Sequence, residues 1–267
     1  MLLGQTSYQT KIFTRNPLAA FFTVVFPLMF FFVFTLVFGN EEIPELGVTT
    51  AQYYAPALAV FAAVSATYTN LAVGTAYQRD QGILKRVRGT PLPPWVYMGG
   101  KIASAIAIAT VSVAIMLAVG MAFYGLQIYP RTIPAMLLTF FVGVACFAAL
   151  GLAIAAVVSS GESATAITNA TLLPLAFFSG VFIVPSPDSP VWLDTVANIF
   201  PLKHFVEPFV ATFNPQLSGA QFDWVSIGVM VLWGAFGVLI ATRYFKWEPN
   251  PDPTNRRRRE KKVATTA

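Results

Sequence analysis

The chain has 267 residues, 56% of them hydrophobic and 11% charged, with a formal net charge of +5 and a single cysteine. Soluble domains carry about a quarter charged residues, so most of this chain is not built for water and its length does not translate into soluble domains. The lone Cys146 sits in an apolar run, excludes an intrachain disulfide or multi-cysteine metal site, and reads as a small packed hydrophobe.

Six uncharged runs follow one another: Pro17–Phe38, Tyr53–Tyr77, Ile102–Tyr124, Ile133–Ser159, Ala164–Val184 and Trp224–Thr242. At about 1.5 Å per residue a helix of such length crosses a hydrocarbon layer of about 30 Å. The runs are too long and too uniformly apolar for barrel strands, so the expected fold is an all-α membrane protein of six transmembrane helices. The first run lacks the short apolar region and small-residue cleavage site of a secretory signal and is read as a retained helix. It is crowded with phenylalanines, from Phe21 to Phe38, as suits lipid contact, and Pro27 predicts a local disturbance in it.

Orientation follows from the basic residues of the connections. Lys11, Arg15, Arg79, Lys85, Arg86, Arg88, Lys101, Arg243, Lys246, Arg256 to Arg259, Lys261 and Lys262 fall on one side, and Arg131 and Lys203 on the other. The second side collects Glu41, Glu42, Glu45, Asp188, Asp194, Glu207 and Asp223. The expectation is a multi-pass plasma (inner) membrane protein with both termini cytoplasmic. Residues 243–267, with three spaced prolines and an arginine run, predict a disordered basic tail that enforces topology and touches anionic lipid; nucleic-acid binding is not expected.

None of the six runs contains Asp, Glu, Lys or Arg. Ion-coupled carriers usually hold such groups within the bilayer, so this absence argues against a proton-coupled one. Polar side chains do occur: Thr67, Tyr68, Thr69 and Asn70 in the second run, and Thr168, Asn169 and Thr171 in the fifth. Two readings are open, hydrogen bonding between helices and, for Tyr68, Asn70, Asn169 and Thr171, lining a translocation path.

Between the second and third runs lies the most charged internal connection, residues 78–94. Ile83, Leu84 and Val87 are spaced as the apolar stripe of a short surface helix, which Thr90 and Pro91 would end. Held between two spans, such a helix is a lever through which a partner could push on both.

The string Arg79-Asp80-Gln81-Gly82-Ile83-Leu84-Lys85-Arg86 with Thr90-Pro91-Leu92-Pro93 resembles the coupling element of ABC-2 type exporter permeases. Arg15-Asn16-Pro17 leading to Pro27-Leu28, and Leu173-Pro174-Leu175-Ala176-Phe177-Phe178-Ser179-Gly180-Val181-Phe182 followed by Phe200-Pro201-Leu202, are similar to the N-terminus and the fifth span of the same family. Asp80 stands where Glu is usual and Ile83 where Thr is common. The resemblance covers about residues 9–242, and the motif variants look closer to the drug and lipid export branch than to the long-chain polysaccharide branch.

That resemblance implies an interfacial helix over residues 1–16, a transmembrane domain over 17–242 with a cytoplasmic coupling helix, and an extracellular re-entrant helical hairpin before the last span. It implies ATPase coupling through Arg79, Asp80, Gly82, Leu84, Lys85 and Arg86, and an extracellular gate near Phe200, Pro201 and Phe205. It also implies a second permease subunit, identical or closely related, and separate ABC ATP-binding subunits that hold ATP and magnesium. The chain itself has no Gly-rich Walker loop. No catalytic residue, cofactor site or metal site is assigned. The implied cargo is an amphipathic or hydrophobic drug, lipid or lipid-linked molecule.

Residues 185–222 are long for a loop and rich in apolar side chains, which favours short helices. His204 and Glu207 invite a metal reading, but there is no second histidine, and with Lys203 they read as a solvated helix face. Glu162, near a helix start, reads as a favourable charge or an ATPase contact. The alternatives are a membrane-embedded lipid-modifying enzyme, for which the chain offers few paired carboxylates, and an ion-coupled secondary carrier.

Overall fold

The structure, a computed structural model, describes residues 2–44, 46–185, 190–245 and 247–248. Glu45, Asp188, Lys246 and the arginine-rich tail lie outside the described residues. Helix α1 (Leu2–Thr14) is followed by Asn16, whose side-chain oxygen accepts from the Ala19 amide and so starts α2 (Pro17–Val37). Pro27 cannot donate to the Thr23 carbonyl. A π-helical turn over Phe21–Val25 comes just before it and absorbs the misfit, so the helix runs on to Val37.

Two short antiparallel strands, β1 (Glu42–Ile43) and β2 (Val48–Thr49), pair Glu42 with Thr49 and lead into α3 (Thr50–Asp80). The Thr49 hydroxyl caps α3 by accepting from the Gln52 amide. A second π-helical turn, Ser65–Thr69, interrupts α3 in the middle. Gly82, at φ 69°, takes the left-handed turn that separates α3 from α4 (Ile83–Arg88). Then come α5 (Pro94–Tyr124), α6 (Ile133–Val157), α7 (Gly161–Phe178), α8 (Val191–Ile199), α9 (Pro201–Ala211) and α10 (Trp224–Tyr244).

Helix α3 is the centre of the bundle. In its most apolar stretch 78% of residues are buried, against 22% in α2 and in α10, so the latter two leave most of their apolar surface on the outside of the bundle. Helices α2, α5, α6 and α9 surround α3, and α10 lies along α6. Small residues allow the close approaches. A Cβ added at Gly151 of α6 would sit 2.7 Å from the Tyr68 carbonyl oxygen in the π-turn of α3, and one at Gly237 of α10 would sit 2.9 Å from the Leu150 amide.

Among the described residues five helices are long and apolar enough to cross a membrane: α2, α3, α5, α6 with its short Pro130–Thr132 turn, and α10. The chain is therefore a mostly helical, multi-pass membrane protein. The run expected over Ala164–Val184 differs. Its helix, α7, ends at Phe178 after 18 residues, and Glu162, Asn169 and Pro174 lower its apolar character below that of the others. Beyond it Gly180, at φ 80°, turns the chain back.

The connections fall at two ends. One carries α1, α4, the turn between α6 and α7 and the end of α10, with Lys11, Arg15, Lys85, Arg86, Arg88 and Arg243; this is called the basic end. At the opposite end Gln52 bridges the Gln127 and Phe213 backbones, Tyr53 donates to the Gly180 carbonyl, and Arg131 donates to the Pro215 and Leu217 carbonyls. Lys101, counted from sequence among the loop charges, is instead a buried residue of α5.

Candidate functional site

At the basic end the last turn of α3 holds three consecutive polar residues, and each faces a different neighbour. The Gln78 amide oxygen accepts from the Tyr97 hydroxyl at 2.6 Å and from Lys101 Nζ at 2.7 Å, both on α5. Lys101 also lies over the Tyr97 ring. The Arg79 guanidinium, 2% exposed, donates to the Ala155 carbonyl at 2.7 Å and the Val158 carbonyl at 2.8 Å. The last carbonyls of a helix lack intrahelical partners and sit at its negative pole, so a buried cation at the end of α6 satisfies both needs. Asp80 Oδ2 accepts from the Gly161 amide at 2.7 Å, at the positive end of α7.

Gly161 is suited to that place. A Cβ there would fall 2.6 Å from the Tyr77 ring of α3, so only a glycine lets the first turn of α7 come this close. On α7 itself Ser160 caps the helix through the Ser163 amide, leaving the Gly161 amide to Asp80.

Six residues carried the sequence expectation of ATPase coupling. Arg79 and Asp80 turn into the bundle, and Leu84 is fully buried beneath α4. Gly82 supplies the left-handed turn, and Lys85 and Arg86 are exposed, as is Arg88. The outward face of α4 is thus cationic and its inward face apolar. Helix α1 packs along the start of α5, where Gln5 closes over Gly100 and the Thr10 and Ser104 hydroxyls meet at 2.9 Å.

Of the residues read as candidates for a path, Tyr68 and Thr171 meet, their oxygens 2.8 Å apart. Asn70 instead donates to the Thr23 hydroxyl at 2.6 Å, tying the π-turn of α2 to the residue that follows the π-turn of α3. Asn169 is on the exposed face of α7. Hydrogen bonding between helices thus occupies Tyr68, Asn70 and Thr171.

At the opposite end Phe200 stacks near Trp233 in the joint between α8 and α9, Pro201 is buried at the start of α9, and Phe205 is fully buried against Gly143 and Phe147 of α6. Lys203 is not on a solvated face. It is buried and bonded to Asp194 of α8, with Glu207 3.4 Å away. His204 bridges the Ser226 hydroxyl and the Asn198 carbonyl. The Lys203 hydrogen bond holds the Asp194 carboxyl below its ordinary range, while burial pushes that of Glu207 up against the opposing pull of Lys203. Beside Glu207 a cavity of about 270 Å³ opens between Val48, Tyr53, Val206, Val210 and Phe213.

Sequence reasoning missed Gln78, Tyr97, Lys101 and Gly161. Their partners lie up to 81 positions away in the chain, and no local pattern marks them.

Apolar helices packed around a buried central helix, with a short basic helix held at one end, define a multi-pass membrane protein. Residues 5–214 match the model of the ABC-2 type transporters, and the chain belongs to that family. It is 24% identical over 205 residues to YvfS of Bacillus subtilis (strain 168), named a transport permease, covering 77% of this chain and 82% of that one. It is 26% identical over 225 residues to DrrB1 of Streptomyces coeruleorubidus, named a daunorubicin resistance ABC transporter permease protein, covering 82% and 75%. It is 28% identical over 139 residues to YbhR of Escherichia coli (strain K12), named a probable multidrug ABC transporter permease; that match covers 52% of this chain and 37% of the relative. These relatives are permeases, which are transport subunits.

Proposed function

We propose that the chain is the permease subunit of an ATP-driven exporter, paired in the plasma membrane with a second permease copy and powered by separate ATP-binding subunits. The observation that carries this reading is α4, whose apolar face is buried on Leu84 while Lys85, Arg86 and Arg88 are left exposed at the basic end. A face of three cations with no carboxylate among them fits an acid-lined cleft on a partner. By the bias of basic residues, that end and both termini lie in the cytoplasm.

In this reading α7 crosses the membrane as the sixth span, its shorter and more polar helix shielded from lipid by the second copy. Helix α1 lies at the cytoplasmic interface. Helices α8 and α9 form an outer hairpin that dips into the bilayer and gates the path through Phe200, Pro201 and Phe205. Cargo is amphipathic or hydrophobic, a class supported by the relatives named for multidrug and daunorubicin resistance.

Co-purification tests the reading. The tagged chain, expressed from its native locus, should retain an ATP-binding subunit, and the double change Lys85→Glu with Arg86→Glu should release it without lowering the yield of folded permease. Recovery of the chain with no ATP-binding subunit would sink the proposal.

A further inference from the structure

A lever moves only what it is attached to, and the attachments of α4 reach beyond the two helices it joins. Through Gln78 the end of α3 is bonded to α5, through Arg79 to the last carbonyls of α6, and through Asp80 to the first amide of α7. All of these bonds leave from the last turn of α3, and Gly82 alone separates Gln81 from α4. Every acceptor or donor met on α6 and α7 is a backbone atom, so the bonds hold the helices themselves and not mobile side chains.

We propose that Gln78, Arg79 and Asp80 are positioning residues that spread a displacement of α4 to α5, α6 and α7, and that the Asp80–Gly161 hydrogen bond is the link that carries α7. This rests on the reading of α4 as the partner-facing element. It assigns Asp80 an inward role, that of an acceptor for its own chain, in place of a contact with the ATP-binding subunit. The Asp80 side chain is 30% exposed, yet its Oδ2 is engaged at 2.7 Å.

The arrangement also has slack in one place. Asp80 Oδ1 pairs with Arg79 Nε at 3.8 Å, beyond hydrogen-bond range, and that buried Nε has no hydrogen-bond partner. A sub-ångström to one-ångström shift of the loop would close this pair and satisfy the donor that is left open.

The test uses the complex with its ATP-binding subunits, co-expressed and placed in lipid nanodiscs. The one native cysteine is removed as Cys146→Ala, and label pairs are introduced at exposed positions. Thr90, just past the end of α4, with Leu36 reads α4 against α2, and Ala170 with Leu36 reads α7 against α2. Distances are compared between the nucleotide-free and vanadate-trapped states.

The expected result is that both pairs shift in the parent. Asp80→Ala should keep the α4 shift and lose the α7 shift, and Asp80→Asn, whose amide oxygen can still accept from Gly161, should restore it. An α7 shift that survives Asp80→Ala overturns the proposal, and so does one lost equally in Asp80→Asn, since the charge and not the hydrogen bond would then matter. If α4 itself stays still in the parent, the reading of α4 as the driven element fails, and the proposal fails with it.

Discussion

The two ends of the bundle are held by different physics. At the basic end, directional bonds from Gln78, Arg79 and Asp80 tie three neighbouring helices to α3, two of them through their backbones. At the opposite end a stack of rings, Phe205, Phe209 and Phe213 with Phe140 and Phe147, fills the space between bonds from Gln52, Tyr53, Arg131, Lys203 and His204 that lie around it. A hydrogen bond weakens steeply with distance and angle, whereas apolar contact is non-directional and tolerates sliding. The first kind of joint passes on a displacement; the second lets surfaces repack while staying dry. A transporter needs both, a stiff joint where work enters and a compliant one where the path opens.

The comparison can be broken by unmaking one joint at each end. Arg79→Ala leaves the Ala155 and Val158 carbonyls and a side-chain-sized void in a buried site, and should destabilise the chain by about 3–5 kcal/mol. Gln52→Leu keeps the volume and loses the bonds to Gln127 and Phe213, for about 2 kcal/mol. Both are read as unfolding midpoints in one detergent. A Gln52→Leu loss larger than that of Arg79→Ala would show that the polar bonds at the basic end are not the firmer joint.

Two glycines sharpen the same contrast. At both Gly143 and Gly161 an added Cβ would fall 2.6 Å from an aromatic ring, of Phe205 and of Tyr77 respectively. Phe205 is fully buried and cannot swing away, whereas Tyr77 is 41% exposed. Gly143→Ala should therefore cost about 2–3 kcal/mol and Gly161→Ala about 1 kcal/mol. The smaller change should still disturb function more, because it moves the amide that Asp80 holds. Midpoints together with transport by the reconstituted complex separate the two effects.

Much of the architecture was legible in the sequence, because spans are written in consecutive apolar residues that need no knowledge of partners. Each of the six runs contains a helix, with bounds displaced by several residues: α5 continues back to Pro94, whereas α7 stops at Phe178, short of the expected Val184. Leu84 on the inner face of α4, and Lys85 and Arg86 on the outer one, follow from helical spacing alone. The inward turn of Arg79 and Asp80 was hidden, since it depends on where the ends of α6 and α7 come to rest. The motif that named these residues as a charged loop also drew attention outward. Lys101 and Lys203 misled for a related reason: charge in a sequence reads as solvent, and only packing reveals that Gln78 and Asp194 meet them.

The smallest effect expected is a pH dependence confined to the α8–α9 hairpin. Asp194 has its carboxyl pKa lowered by Lys203 beneath the ordinary 3.8, so its contribution is present above that value and is lost as pH falls through the folded-state pKa. Glu207 is shifted the other way by burial, above 4.5, so the folded hairpin favours its protonated form and loses that preference as pH rises through the raised pKa. The hairpin should be tightest between the two and loosen on either side. Hydrogen exchange of the α8 and α9 amides, corrected for the intrinsic pH dependence and referred to α3, measures this directly. Lys203→Met should weaken the acid limb, because Asp194 then keeps only the Asn198 hydrogen bond that favours its carboxylate. It should strengthen the alkaline limb, because the pull that opposes the burial of Glu207 is gone. A profile that Lys203→Met leaves unchanged would mean that the Lys203 cluster does not set the pH dependence of the hairpin.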